Sequence, residues 1–227
     1  MSIYSAINSA AFEAKKKTPA AHLSGLYVIT DERAPGGHEA MTRAAIRGGA
    51  RILQLRDKST PLPQLRETAH ALRHLTRDAG VLFIINDNVQ LALDVEADGV
   101  HLGPDDFSPA QARAILGDSF LIGVSCGDAN QANIAAQNGA DYIGAGAVFG
   151  TRTKLDAGEA IGLGVLRQIV EATPLPVAAI GGVTLSNIHL VREAGAKMAC
   201  VISGISRVEN QIAMTEKTRE LVQQFHP

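Results

Sequence analysis

The chain has 227 residues, 46% hydrophobic and 19% charged, with a formal net charge of −2, which suits one globular domain with a sizeable core. There is no basic excess to attract nucleic acid, and aromatics at 4% offer little for base-stacking platforms. No apolar run reaches the roughly 18 residues that a membrane helix needs.

The first stretch, residues 1–22, places its lysines after a mildly apolar part, the reverse of a secretory signal. It reads as a short N-terminal extension without chemistry, ahead of a single domain over 23–227. The two cysteines, Cys126 and Cys200, stand far apart and outside any CxxC pair. Reduced, buried thiols in a cytoplasmic protein are the expectation.

From residue 25 onward, short apolar runs alternate with amphipathic stretches. The runs are GLYVIT (25–30), RILQLR (51–56), VLFIIN (81–86), GVHLG (99–103), FLIGVS (120–125), YIGAGAV (142–148), PVAAIGG (176–182) and MACVIS (198–203). They are rich in Val and Ile and apolar on both faces, as parallel strands covered on both sides must be. Between them, Leu62, Leu65, Ala69, Leu72 and Leu75 step by three and four along one helical stripe. Ser108-Pro109 reads as an N-cap followed by proline in the first turn. Ile188, Val191 and Ala194 repeat the stripe before Gly195 ends that helix, and Ile212, Leu221, Val222 and Phe225 mark the last one. Eight strand–helix units predict an α/β fold, a single (β/α)8 TIM barrel; a doubly wound open sheet is the alternative.

In such a barrel the chemistry sits at the C-terminal strand ends. The second run closes with Gln54, Arg56 and Lys58, which strand alternation aims to one side, an arrangement suited to an anion. The third closes with Asn86 and Asp87 and the fourth leads to Asp105 and Asp106. Asp87 and Asp106, on neighbouring strands, are placed to share a cation of the Mg2+ type. With Ser108 available to cap the next helix, Asp106 is free for this, and Asp105 stays open as a rival ligand. Ser125 ends the fifth run. Thr151, Arg152, Thr153 and Lys154 follow the sixth as a phosphate-directed cluster. Gly181 and Gly182 end the seventh, and Ile202, Ser203 and Gly204 the eighth, where this fold usually holds phosphate. The residues thus predict two anion sites, one with a metal and one without.

The ordered set QLRDK, INDN, ADGVHLGPDD, IGVS, ADYIGAGAVFGTRTK, AIGGV and VISGIS resembles the thiamine-phosphate synthase family, in family order over residues 25 to about 206. The resemblance implies a Mg2+-dependent transferase that joins a pyrimidine pyrophosphate to a thiazole phosphate. It implies Gln54, Arg56, Lys58, Asn86, Ser125 and Lys154 around the pyrimidine pyrophosphate. It implies Thr151, Thr153, Gly182, Ile202 and Ser203 around the thiazole phosphate, with Asp87 and Asp106 on Mg2+. Arg56, Lys58, Lys154 and Ser125 are the expected catalytic set. Partners are then small-molecule substrates, without nucleic acid or membrane, and a homo-oligomer stays open as an assembly.

The chain departs from the family where Cys126 and Gly127 follow Ser125 in place of a common histidine, where Pro104 stands for Gln, and where Ala147 stands for Pro. A metal-free thiazole tautomerase on the same fold would call for a proton-shuttling histidine, and His101 is expected to pack inside the fourth strand instead. A non-catalytic phosphate-binding barrel would have lost the charged set, which this chain keeps.

Overall fold

The computed structural model describes residues 22–150 and 159–226. Its strands are β1 (Gly25–Ile29), β2 (Ile52–Leu55), β3 (Leu82–Asn86), β4 (Gly99–Leu102), β5 (Leu121–Cys126), β6 (Tyr142–Ala145), β7 (Val177–Ala179) and β8 (Met198–Val201). Each pairs in parallel with its neighbour in sequence, and β1 pairs with β8, so the sheet closes as a (β/α)8 barrel. The open-sheet alternative is excluded by that closure.

Alternation along each strand sorts the apolar side chains into two layers. Leu26, Val28, Leu53, Leu55, Phe83 and Ile85 point outward into the main core beneath the helices. Tyr27, Ile52, Ile84, Leu121, Tyr142, Met198 and Cys200 point inward and fill the barrel. The doubly apolar runs of the sequence therefore serve two cores at once.

The outer ring comprises α1 (Gly37–Gly48), α2 (Leu62–Ala79), α3 (Val89–Asp94), α4 (Pro109–Leu116), α5 (Ala129–Gln137), α6 (Gly162–Ala172), α7 (Ile188–Glu193), α8 (Ser203–Ser206) and α9 (Gln211–Phe225). The start of α4 is a capping box: Ser108 accepts from the Gln111 amide, Gln111 answers on the Ser108 amide, and Pro109 stands in the first turn. Helix α7 ends as the stripe predicts, with Gly195 left-handed beyond it. Two apolar positions do not pack as predicted. Leu62 is 46% exposed because residues 61–64 are all exposed, so the first turn of α2 stands clear of the core. Ile212 is 71% exposed because α9 buries the stripe Met214, Thr218, Leu221 and Phe225, from which Ile212 points away. The short α8 is unmarked by periodicity; it forms inside VISGIS as Ile205 and Ser206 tuck into the core. No described helix is long and apolar enough to cross a membrane.

Candidate active site

The C-terminal strand ends surround a cavity of about 470 Å³. Gln54, Arg56 and Lys58 enter it from β2, Asn86 and Asp87 from β3, Asp105 and Asp106 from beyond β4, and Ser125 from β5. Gly181 and Gly182 line it after β7, and Ile202 and Ser203 after β8. Thr151, Thr153 and Lys154 lie outside the described residues.

Asp87 sits in the left-handed region, with φ 62°, a conformation that Asp tolerates better than most residues. Its amide bonds the His101 carbonyl at 2.8 Å, which fixes the turn on β4. Burial and the hydrogen-bonding approach of Asp106 raise its carboxyl above the ordinary value, and Lys58, 3.3 Å away, opposes the rise. Asp106 Oδ2 also accepts from the Gly103 amide at 2.7 Å. Asp106 is therefore not wholly released by the Ser108 cap, as the sequence suggested; one oxygen braces its own turn. Two carboxylates pressed together this way suit a divalent cation. Among the described residues no third acidic, His or Cys ligand joins them, which fits Mg2+, an ion that keeps water and phosphate oxygens in its shell.

The β2–α2 turn is held by Asp57, which the sequence did not single out. Its Oδ1 accepts from the amides of Ser59 and Thr60 at 2.9 Å each and from Ser59 Oγ. Its Oδ2 meets His38 Nε2 at 3.1 Å, and His38 Nδ1 meets Thr30 Oγ1 at 2.9 Å. Thr30 Oγ1 in turn accepts from the Arg56 amide at 3.3 Å. Burial works against ionisation of Asp57, but the Thr60 and Ser59 donors outweigh it and hold the carboxyl far below its usual range. This bracket sets the backbone from which Arg56 and Lys58 project.

Beneath the cavity runs a string of polar side chains inside the barrel. Gln54 Nε2 donates to Tyr27 Oη at 2.7 Å, Tyr27 Oη meets Tyr142 Oη at 2.9 Å, and Tyr142 Oη meets His101 Nδ1 at 3.1 Å. His101 Nε2 then meets Ser125 Oγ at 3.0 Å. His101 does pack in the barrel, as expected, but it also lines the cavity. The tyrosines were missed; the one available signal was their inward alternation in GLYVIT and DYIGAG. Burial raises both phenols above the usual tyrosine value, so they stay neutral. Cys126 and Cys200 also line the cavity as free, buried thiols; burial pushes Cys126 up to about 11 and Cys200 higher, which leaves them without thiolate character.

At the opposite side Gly182 has φ 64°, and a Cβ there would meet the Gly150 carbonyl oxygen at 2.6 Å and Phe149 Cβ at 2.8 Å. The glycine is required here by its own neighbouring loop. Asn187 secures this turn, donating to the Gly182 carbonyl at 2.9 Å and accepting from the Thr184 amide at 2.7 Å. Ser206 donates to Asp31 at 3.0 Å, which ties α8 to the end of β1.

Residues 26–205 match the family model described as thiamine monophosphate synthase. The chain is 42% identical over 199 residues to a thiamine-phosphate synthase of Moorella thermoacetica, covering 87% of this chain and 95% of that protein. It is 43% identical over 200 residues to a thiamine-phosphate synthase of Methanospirillum hungatei, covering 87% and 97%. The solved thiamine phosphate pyrophosphorylase from Pyrococcus furiosus superposes with a TM-score of 0.81 at 40% identity, covering 89% of this chain and 97% of that one. With the barrel closed as predicted and a charged cavity at its strand ends, this chain belongs to the thiamine monophosphate synthase family.

Proposed function

We propose that the chain makes thiamine phosphate, as a cytoplasmic transferase acting on small molecules. It joins 4-amino-2-methyl-5-hydroxymethylpyrimidine pyrophosphate to 4-methyl-5-(2-hydroxyethyl)thiazole phosphate, or to its carboxylated tautomer with the carboxyl leaving as CO2. The observation that supports this reading is one cavity lined by charged and polar groups from the ends of β2 to β5 and by glycine and hydroxyl groups after β7 and β8. Arg56, Lys58, Asn86 and Ser125 with the Asp87–Asp106 pair would take the pyrophosphate, and Gly182, Ile202 and Ser203, which line the same cavity, the thiazole phosphate. By sequence, Lys154 joins the first set and Thr151 and Thr153 the second.

Asp87 and Asp106 would hold Mg2+, which supplies positive charge to pyrophosphate oxygens. Arg56 and Lys58 bind the same pyrophosphate and stabilise the charge it gains as the C–O bond to the pyrimidine methylene breaks. The bonding electrons leave with pyrophosphate. The thiazole nitrogen lone pair then closes on the methylene carbon, held in line by the phosphate grip around Gly182 and Ser203. No side chain need act as nucleophile, and the buried, protonated thiols of Cys126 and Cys200 agree with that. Catalysis is electrostatic stabilisation and positioning.

The test is turnover with Mg2+ and both substrates, read as thiamine phosphate and pyrophosphate in equal amounts. Isomerisation of the thiazole phosphate alone, without metal, would replace this reading with a tautomerase. Binding of both substrates without product would make the barrel a phosphate-binding protein.

A further inference from the structure

The string beneath the cavity begins and ends at residues that line it, Gln54 and Ser125, while Tyr27 and Tyr142 lie below the floor. Its polarity follows from donor arithmetic. The Gln54 amide nitrogen only donates, so Tyr27 Oη accepts there. Tyr27 Oη is fully buried, and among the described residues its one other hydrogen-bond partner is Tyr142 Oη. Its own proton therefore goes to Tyr142. Tyr142, accepting from Tyr27, gives its proton to His101 Nδ1. That nitrogen is then an acceptor, the single ring proton sits on Nε2, and it is donated to Ser125 Oγ. The serine oxygen is occupied from below, and its proton is left to point into the cavity. The reverse order would deliver two donors to Tyr27 and strand its buried hydroxyl proton, an arrangement that interiors avoid.

We propose that Tyr27 and Tyr142 are positioning residues. They carry the hydrogen-bond direction set at Gln54 through His101 to Ser125, so that the serine presents a proton, not a lone pair, to an anion in the cavity. This deepens the transferase reading and rests on it for the identity of that anion, the pyrophosphate. The seats of the rings support a built arrangement. A Cβ at Gly123 would lie 2.0 Å from Tyr142 Cζ, and one at Gly144 would lie 2.8 Å from His101 Cε1. Both rings occupy space that the backbone keeps clear for them.

The experiment reads the His101 ring in the free, full-length protein by 15N NMR of labelled histidine, with a His101→Gln variant to assign the signals. The wild type should show one neutral tautomer, protonated on Nε2. Tyr142→Phe keeps the ring and removes the oxygen; both tautomers should then be populated. Its affinity for pyrophosphate with Mg2+, and the KM for pyrimidine pyrophosphate, should weaken about tenfold, the loss of one oriented charge-assisted contact. The KM for thiazole phosphate should not move. Tyr27→Phe should shift both readouts in the same direction but less, because Tyr142 keeps its own proton for His101, and it serves if Tyr142→Phe fails to fold. A wild-type ring protonated on Nδ1 or on both nitrogens overturns the proposal. So does a Tyr142→Phe protein with unchanged tautomer and pyrophosphate affinity. The tautomer is measured without turnover, so absence of product with the expected tautomer would count against the reaction and not against the relay.

Discussion

Lys58 Nζ lies 3.3 Å from Asp87 Oδ2, so a cation aimed at the cavity from beyond β2 rests on a carboxylate presented at the end of β3. Without a metal, Lys58 only partly relieves Asp87, whose carboxyl stays raised by burial and by Asp106.

The raised carboxyl makes a stability prediction. The folded state holds this proton more tightly than the unfolded chain, so the contribution of Asp87 is favourable at low pH and is lost as pH rises through the raised value. At neutral pH without Mg2+, Asp87→Asn should melt higher than the wild type, by about 2–4 °C for each kcal/mol relieved. Asn tolerates the left-handed backbone at this site as Asp does. The advantage should vanish below about pH 4, near the ordinary carboxylate value, and Mg2+ should raise the wild-type Tm more than that of the variant. Circular-dichroism melts across pH, with and without Mg2+, decide it; a lower neutral-pH Tm for the variant would mean that Asp87 braces the fold.

Asp106→Asn retains an oxygen for the Gly103 amide but loses the charge. Turnover at limiting Mg2+ should fall on the order of 10²-fold, the usual cost of losing one well-placed electrostatic contact in the transition state. Asp105→Asn should change it little. A Mg2+ titration of initial rates for both variants separates the neighbours, and a large loss for Asp105→Asn alone would move the ligand by one residue.

For Asp57 the sign is the opposite of that for Asp87. Its carboxyl is depressed by the Thr60 and Ser59 donors, so its stabilisation is present above the ordinary Asp value and is lost as pH falls toward the depressed one. Asp57→Asn should destabilise at neutral pH by about 1.5–3 kcal/mol, the worth of charged hydrogen bonds. It should also weaken pyrophosphate binding through Arg56 and Lys58, although Asp57 itself is not among the residues lining the cavity. Urea titration at pH 7 and pH 3 checks the first part, where the difference must shrink at the lower pH. A pyrophosphate titration checks the second.

Ser203→Ala should raise the KM for thiazole phosphate several-fold while that for pyrimidine pyrophosphate stays put. Gly182→Ala is a less selective probe, since its methyl would strike the Gly150 carbonyl and Phe149 before any ligand; it should lower the Tm as well as the affinity. Steady-state kinetics with each substrate varied in turn are the check, and equal effects of Ser203→Ala on both KM values would dissolve the partition of the cavity.

Much of this was legible in the chain because the barrel is regular. Each apolar run had to be covered on both faces, and the polar residues at its end, such as Gln54, Asp87 and Ser203, then converge by topology alone. Residues whose roles depend on another strand left no trace beyond strand alternation. Tyr27 reads as an ordinary strand tyrosine until β6 brings Tyr142 to it, and Asp57 reads as a solvated turn until α1 supplies His38. Leu62 and Ile212 show the converse: apolar character marks a helix face only when the turn carrying it reaches the core. The hold of Asp106 on the Gly103 amide is likewise a matter of distances that spacing cannot give.

Gly123 and Gly144 tie the history of the floor to that of the barrel. The rings of Tyr142 and His101 fill the volumes that side chains at these positions would need, so neither glycine can drift while its ring remains, and losing a ring would leave a void in its place. Change here must come in pairs, ring and seat together, through an intermediate that is either overfilled or hollow. Descendants of this chain are thus expected to diverge at the rim, on loops that tolerate single steps, long before they diverge beneath it.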